Sequence, residues 1–132
     1  MTEGRAFSLE VVAPVFPVAD VVAARDYYTG CLGFDLAFEW SDTDDGPLSY
    51  AIVRHGSCQL HLSASTAESR AVAYVFVNGV EAYHDAVQRG GGQITCPLET
   101  QPWDMREFEV TDPDGNRLVF GEHVSRLTEG AD

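Results

Sequence analysis

The side chains that could do chemistry in this chain are aromatic and acidic, and they fall in two clusters. Phe34, Phe38, Trp40 and Tyr50 stand close to Glu39, Asp42, Asp44 and Asp45, with no base among those acids. Further on, Trp103 and Asp104 open a stretch in which Glu107, Glu109, Asp112 and Asp114 share only Arg106. Aromatic faces attract flat rings and cations alike, by about 0.5 to 2 kcal/mol per contact. A carboxylate beside such a face adds a field suited to a planar, positively charged molecule. Period-2 alternation puts Phe34, Phe38 and Trp40 on one strand face, where Phe34 and Phe38 serve equally well as core packing. Trp103 follows Pro102 in a loop-like stretch, which leaves its ring available for stacking.

Other chemistries find less support. Cys31, Cys58 and Cys96 are odd in number and show no Cys-x-x-Cys spacing, which fits reduced thiols. Gly90-Gly91-Gly92 follows a helical pattern and reads as a helix stop, not a phosphate cradle. Asp112-Pro113-Asp114-Gly115 is a turn signal that lacks the remaining ligands of a calcium loop. His61 lies in a strand pattern, His55 in a hinge, His84 on a helix and His123 in the tail.

The balance of charge narrows the partners. Twenty-one acids against eight bases, all of them Arg, leave a formal net charge of −13. Nucleic acid and anionic membrane surfaces are therefore poor partners, because phosphate binding needs clusters of Lys or Arg. The apolar run Ala71–Val77 is far too short to span a bilayer, which takes about 20 residues. The first ten residues lack a signal peptide's apolar stretch, so a soluble, cytoplasmic protein is expected. A chain of 132 residues is expected to form one domain.

The elements that must position these residues repeat. Shifted by 59 positions, Val18 falls on Val77, Val21 on Val80, Ala23 on Ala82, Asp26 on Asp85 and Gly33 on Gly92. In the first copy, a β-rich stretch to Val18 precedes a helix capped by Asp20 and stopped by Gly30 and Gly33. Strands follow over 34–40, 48–54 and 57–63. The second copy begins with a strand over 71–77 and a helix over 80–89. A short strand near 93–96 and a hairpin over 106–111 and 116–121 complete it. The expected architecture is α+β: two tandem βαβββ units, about 10–64 and 70–122, with a frayed tail over 123–132. Together they should form a curved, mostly antiparallel eight-stranded sheet with helices on its outer side and a concave ligand face.

These residues resemble the vicinal oxygen chelate superfamily of glyoxalases, bleomycin-resistance proteins and dioxygenases. The signatures are Val15-Phe-Pro-Val-Ala-Asp20, Tyr27-Tyr28, Leu32-Gly33-Phe34, the stretch from Ala73 to Val80, Gln101-Pro102-Trp103, and Asp112-Pro-Asp-Gly-Asn-Arg-Leu-Val-Phe120. The Gln-Pro-Trp segment followed by Arg106-Glu107-Phe108 looks most like the bleomycin-resistance proteins. Metal-binding members place ligands on the first and last strand of each unit. Those positions are Ala13, Leu60, Val72 and Val119 here, or Pro14, His61, Ala73 and Phe120 if the register slips by one. Neither set suits a divalent ion, so no metal or other cofactor is expected.

By the same resemblance the chain is expected to be a homodimer with clefts at its subunit interface. Each cleft would sequester a cationic aromatic antibiotic of the bleomycin type, unmodified. Trp103 would stack on the ligand, with Phe34 and Phe38 on its other side. Glu39, Asp42 and Asp104 would supply the field, and Trp40, Tyr50, His61 and Glu107 would complete the lining. The alternative is a metal-independent isomerase or lyase in which His61, Glu107 or Asp104 moves protons.

Overall fold

The structure, a computed structural model, describes residues 6–130. Two residues separate strand β1 (Val15–Val18) from helix α1 (Val21–Gly30), whose start is set by the Asp20 carboxylate accepting the Ala23 N–H at 3.1 Å. Strands β2 (Asp35–Ser41), β3 (Leu48–His55) and β4 (Cys58–Ala64) complete the first unit. The second unit repeats the order: β5 (Val72–Phe76), α2 (Val80–Arg89), β6 (Ile94–Thr100), β7 (Met105–Thr111) and β8 (Arg117–His123). Gly90 and Gly91, the latter at φ +85°, stop α2 as the glycine run predicts. The tail is not frayed throughout: residues 124–130 form helix α3 and Leu127 packs on the core.

The eight strands do not join into one sheet. They form two four-stranded sheets, ordered β1-β4-β3-β2 and β5-β8-β7-β6. In each, the first strand pairs in parallel with the last and the other pairings are antiparallel. The α+β class and the tandem βαβββ plan hold, while the continuous sheet expected from sequence is replaced by two.

Each sheet has a core face and an open face. Phe16, Val18, Ala51, Val53, Leu60 and Leu62 line the core face of the first sheet; Phe108, Val110, Leu118 and Phe120 line that of the second. Both belong to one continuous apolar cluster that includes Val21, Ala24 and Tyr28 of α1 and Val80 and Val87 of α2. Polar contacts tie the units together at the β7–β8 turn. The Asp112 carboxylate accepts the Tyr28 hydroxyl at 2.8 Å, the Asn116 amide at 3.0 Å and the backbone N–H groups of Asp114 and Asn116. The Asn116 amide also donates to the Pro17 carbonyl, and Ala19 N–H donates to Asp114. Asp112 is therefore a structural hub whose acceptors are taken, consistent with the turn reading of its motif. A second carboxylate does similar work at α2. Gly79 precedes that helix at φ +92° with no side chain to cap it, and buried Glu122 accepts the Gly79 and Val80 N–H groups instead.

Candidate functional site

Alternation along the strands divides the candidate residues between the two sheet faces. On the first sheet, Leu60 and Leu62 fill the core, so their neighbour His61 faces out. Tyr50 of β3 shares that face, and its hydroxyl lies 2.5 Å from His61 Nδ1 with the two rings edge to face. Cross-strand pairing puts Trp40 opposite Tyr50 and Phe38 opposite Ile52. Phe38, Trp40, Tyr50, Ile52 and His61 thus form one largely apolar, open surface, on which Trp40 stays 51% exposed.

Two expectations are corrected here. Phe34 does not share this face. It precedes β2, is 5% exposed, and packs edge to face on Tyr28 in the core. Its position outside the strand removes the alternation on which the expectation rested. Glu39 also points the other way: its partner across the sheet is Ala51, on the core side, and its carboxylate pairs with Arg25 of α1 at 3.2 Å. Asp42 lies exposed in the β2–β3 turn, at the end of this sheet.

The open face of the second sheet is of different character. Val72, Tyr74 and Phe76 alternate outward along β5, and Glu107 and Glu109 along β7. The Tyr74 hydroxyl donates to Glu107, and burial together with that carboxylate pushes the phenol well above its usual range. Glu109 receives hydrogen bonds from Thr95 and Cys96 and pairs with Arg117 at 2.9 Å. Burial works to raise its carboxyl, but these donors outweigh burial and hold it below the usual carboxylate value. Glu99 stands directly across the ladder from Glu107. Among the described residues no base pairs with either carboxylate. Trp103, 61% exposed, and Asp104, at φ +66°, occupy the β6–β7 turn at the end of this sheet.

The structure therefore gathers Phe38, Trp40, Tyr50 and His61 on one face and sets Glu107 on another. Trp103, Asp104 and Asp42 lie in turns at the sheet ends. Sequence reasoning missed Tyr74 and Glu99. Tyr74 stands at an outward position between Val72 and Phe76 on an edge strand, but its meaning depends on β8 and β7, which lie far along the chain.

Donor chemistry at the four strands that carry metal in related folds can now be judged from the register. Val15 lies beside His61, and Tyr74 beside Val119. Leu60, expected from spacing to hold one ligand position, points into the core instead. One imidazole and one phenol do not make a set for a divalent cation. No cluster of three or more His, Cys, Asp or Glu suited to a metal occurs among the described residues. No helix among them is long and apolar enough to cross a membrane.

Comparison with known proteins fits this geometry. A family model of the Glyoxalase/Bleomycin resistance protein/Dioxygenase superfamily matches residues 10–120. Bleomycin resistance proteins from Geobacillus stearothermophilus and Staphylococcus aureus are each 25% identical over 132 residues, covering 84% of this chain and 95% of theirs. A crystal structure of the bleomycin-binding protein from bleomycin-producing Streptomyces verticillus, complexed with copper(II)-bleomycin, is 27% identical. It superposes with a TM-score of 0.70 over 86% of this chain and 96% of that one. TioX from Micromonospora sp. ML1 shares the fold, with a TM-score of 0.75 at 20% identity over 86% of this chain and 98% of its own.

Proposed function

From the premise that the chain belongs to the glyoxalase/bleomycin resistance protein/dioxygenase superfamily, we propose that it is a cytoplasmic binding protein that sequesters a cationic aromatic antibiotic of the bleomycin type. The observation that carries this reading is the division of labour between the open faces. One offers Phe38, Trp40 and Tyr50 for stacking; the other offers Glu99 and Glu107 for a cation. The names of the relatives at 25% and 27% identity support the same ligand class. Protection is stoichiometric in this reading, with the drug held away from its target and left unaltered.

The protein acts as a homodimer. A single chain leaves Val72 and Phe76 uncovered, along with Phe7, Leu9 and Val12 in the segment before β1. Apolar surface of that extent on a soluble protein marks an interaction site. A second copy brings an aromatic face and an acidic face to the same cleft, and Trp103, Asp104 and Asp42 at the sheet ends reach its rim.

The deciding experiment is a titration of the purified protein with bleomycin, with Trp40 and Trp103 as fluorescent reporters and the drug recovered for mass analysis. Saturable quenching near one drug per chain, with the drug unchanged in mass, is expected. Raising ionic strength from about 0.05 to about 0.5 M should weaken binding, since the Debye length is about 10 Å at 0.1 M. An absence of quenching overturns the ligand assignment, and salt-independent affinity overturns the role of the acids. A second reading rests on the Tyr50–His61 hydrogen bond, an acid–base pair on an open face. It is a metal-independent isomerase or lyase, with Glu107 or Asp104 as a further proton carrier. A ligand recovered chemically altered, and no longer altered by His61→Ala, would decide for it.

A further inference from the structure

Gly121 is a buried glycine in the middle of a strand, where a missing side chain costs stability and calls for a reason. The reason is Tyr74. A Cβ at residue 121 would overlap the Tyr74 hydroxyl and crowd its ring carbons, while φ at Gly121 is not in the left-handed region. The tyrosine, rooted on β5, therefore lies down across β8 and reaches Glu107 on β7. Phe76 stands beside it, ring centroids 5.2 Å apart and tilted by 54°. The hydroxyl end of the side chain rests over Gly121, and Tyr74 remains 42% exposed. One oxygen of Glu107 accepts the hydrogen bond from the phenol, and its other oxygen has no donor among the described residues. Glu99 adds a second negative charge directly across the ladder.

We propose that Tyr74, its hydroxyl end over Gly121 and anchored to Glu107, is a subsite for an amidinium or guanidinium group. A planar cation of this kind stacks on the ring while its N–H groups reach the Glu107 oxygen not used by tyrosine. Two features favour it over a neutral ring. The phenol is tied to a carboxylate, which enriches the ring face, and neither Glu99 nor Glu107 is neutralised by a base. The assignment deepens the reading above and rests on it in one respect: the open face of the second sheet is the ligand side.

Benzamidine is the probe, with neutral benzamide as its isosteric control. Amide-resolved NMR of the isotopically labelled protein should place benzamidine shifts on Tyr74, Val119 and Gly121, with no comparable response to benzamide. Gly121→Ala pushes the ring aside at the far end of a side chain that can swing into solvent, so the fold survives, as a well-dispersed amide spectrum will check. It should weaken benzamidine about 2- to 30-fold through loss of the stacked ring. Glu107→Gln should weaken it about tenfold or more through loss of a charge-assisted hydrogen bond. Absent shifts, equal response to benzamide, or unchanged affinity in both variants overturns the proposal. Its failure is distinguishable from failure of the antibiotic reading. Benzamidine bound at Tyr74 without bleomycin binding removes only the drug. Bleomycin binding that neither variant alters removes only the subsite.

Discussion

The two units share a core side and differ on the open side. Leu60 and Leu62 of β4 and Leu118 and Phe120 of β8 do the same work, filling alternate positions of the strand that pairs in parallel with the first of its unit. The intervening outward positions have gone separate ways: His61 beside Tyr50 in one sheet, Val119 and Gly121 beneath Tyr74 in the other. Packing constrains the inward set, because a changed volume is felt throughout a dense interior. The outward set carries no such constraint, so it can hold ligand chemistry. On the function proposed above, the ligand belongs on the faces where the two units differ.

That separation predicts that the largest stability effect comes from a residue with no part in the open faces. Asp112→Ala removes the acceptor of the Tyr28 hydroxyl, the Asn116 amide and the backbone N–H groups of Asp114 and Asn116 at the junction of the units, and strands three buried donors. The expected cost is about 3 kcal/mol. The midpoint of thermal unfolding should fall by about 10 °C, while ligand affinity below the transition stays as it was. A midpoint within 2 °C of the parent, by the same order-of-magnitude reasoning, would mean the hub is dispensable.

Tyrosine ionisation sharpens the comparison. Burial raises Tyr27, Tyr28 and Tyr83 on the core side above the usual value of 10.0. Burial and the Glu107 carboxylate raise Tyr74 on the open side. A folded-state pKa above the unfolded one contributes stability that is fully present below the unfolded value and is lost as pH rises through the folded one. Stability from these groups should therefore persist through pH 10.0 and decline only in stronger alkali. Absorbance at 295 nm should show these four protonated at a pH where free tyrosine is half ionised. Glu107→Gln should bring down Tyr74 and leave the three core-side groups alone. Most of the phenolate signal appearing by pH 10.0 would contradict the assignment.

The elements were legible in the sequence wherever the chain is locally punctuated. Asp20 caps α1, Gly90 and Gly91 stop α2, and Asp112 to Gly115 turn β7 into β8, because each acts on neighbours a few residues away. The face a strand residue takes was less legible, since a slip of one residue exchanges the two sides. Spacing alone put Leu60 where the register puts His61. Phe34 escaped the alternation because it lies outside the strand, and β2 carries two register shifts besides. Least legible was what depends on distant pairing. The separation into two sheets, and the fit of Tyr74 over Gly121, arise from strands that meet only after the chain has folded.

The smallest expected effect probes whether the acidic face is built for something other than stability. Glu99 and Glu107 lie opposite each other across β6 and β7. Like charges directly opposed in a ladder destabilise a sheet by a fraction of a kcal/mol. Glu107 is tied to Tyr74, so Glu99 is the partner that can be neutralised without disturbing the ring. Glu99→Gln should therefore raise stability by about 0.2 to 0.5 kcal/mol at low salt. The gain should vanish toward 1 M salt, where the Debye length falls to about 3 Å. Benzamidine affinity should fall in the same variant. Denaturant unfolding at low and high salt gives the first quantity and the NMR titration gives the second. A protein that becomes more stable and binds less well holds its paired carboxylates for the ligand. Loss of both stability and binding would instead make Glu99 an ordinary strut of the sheet.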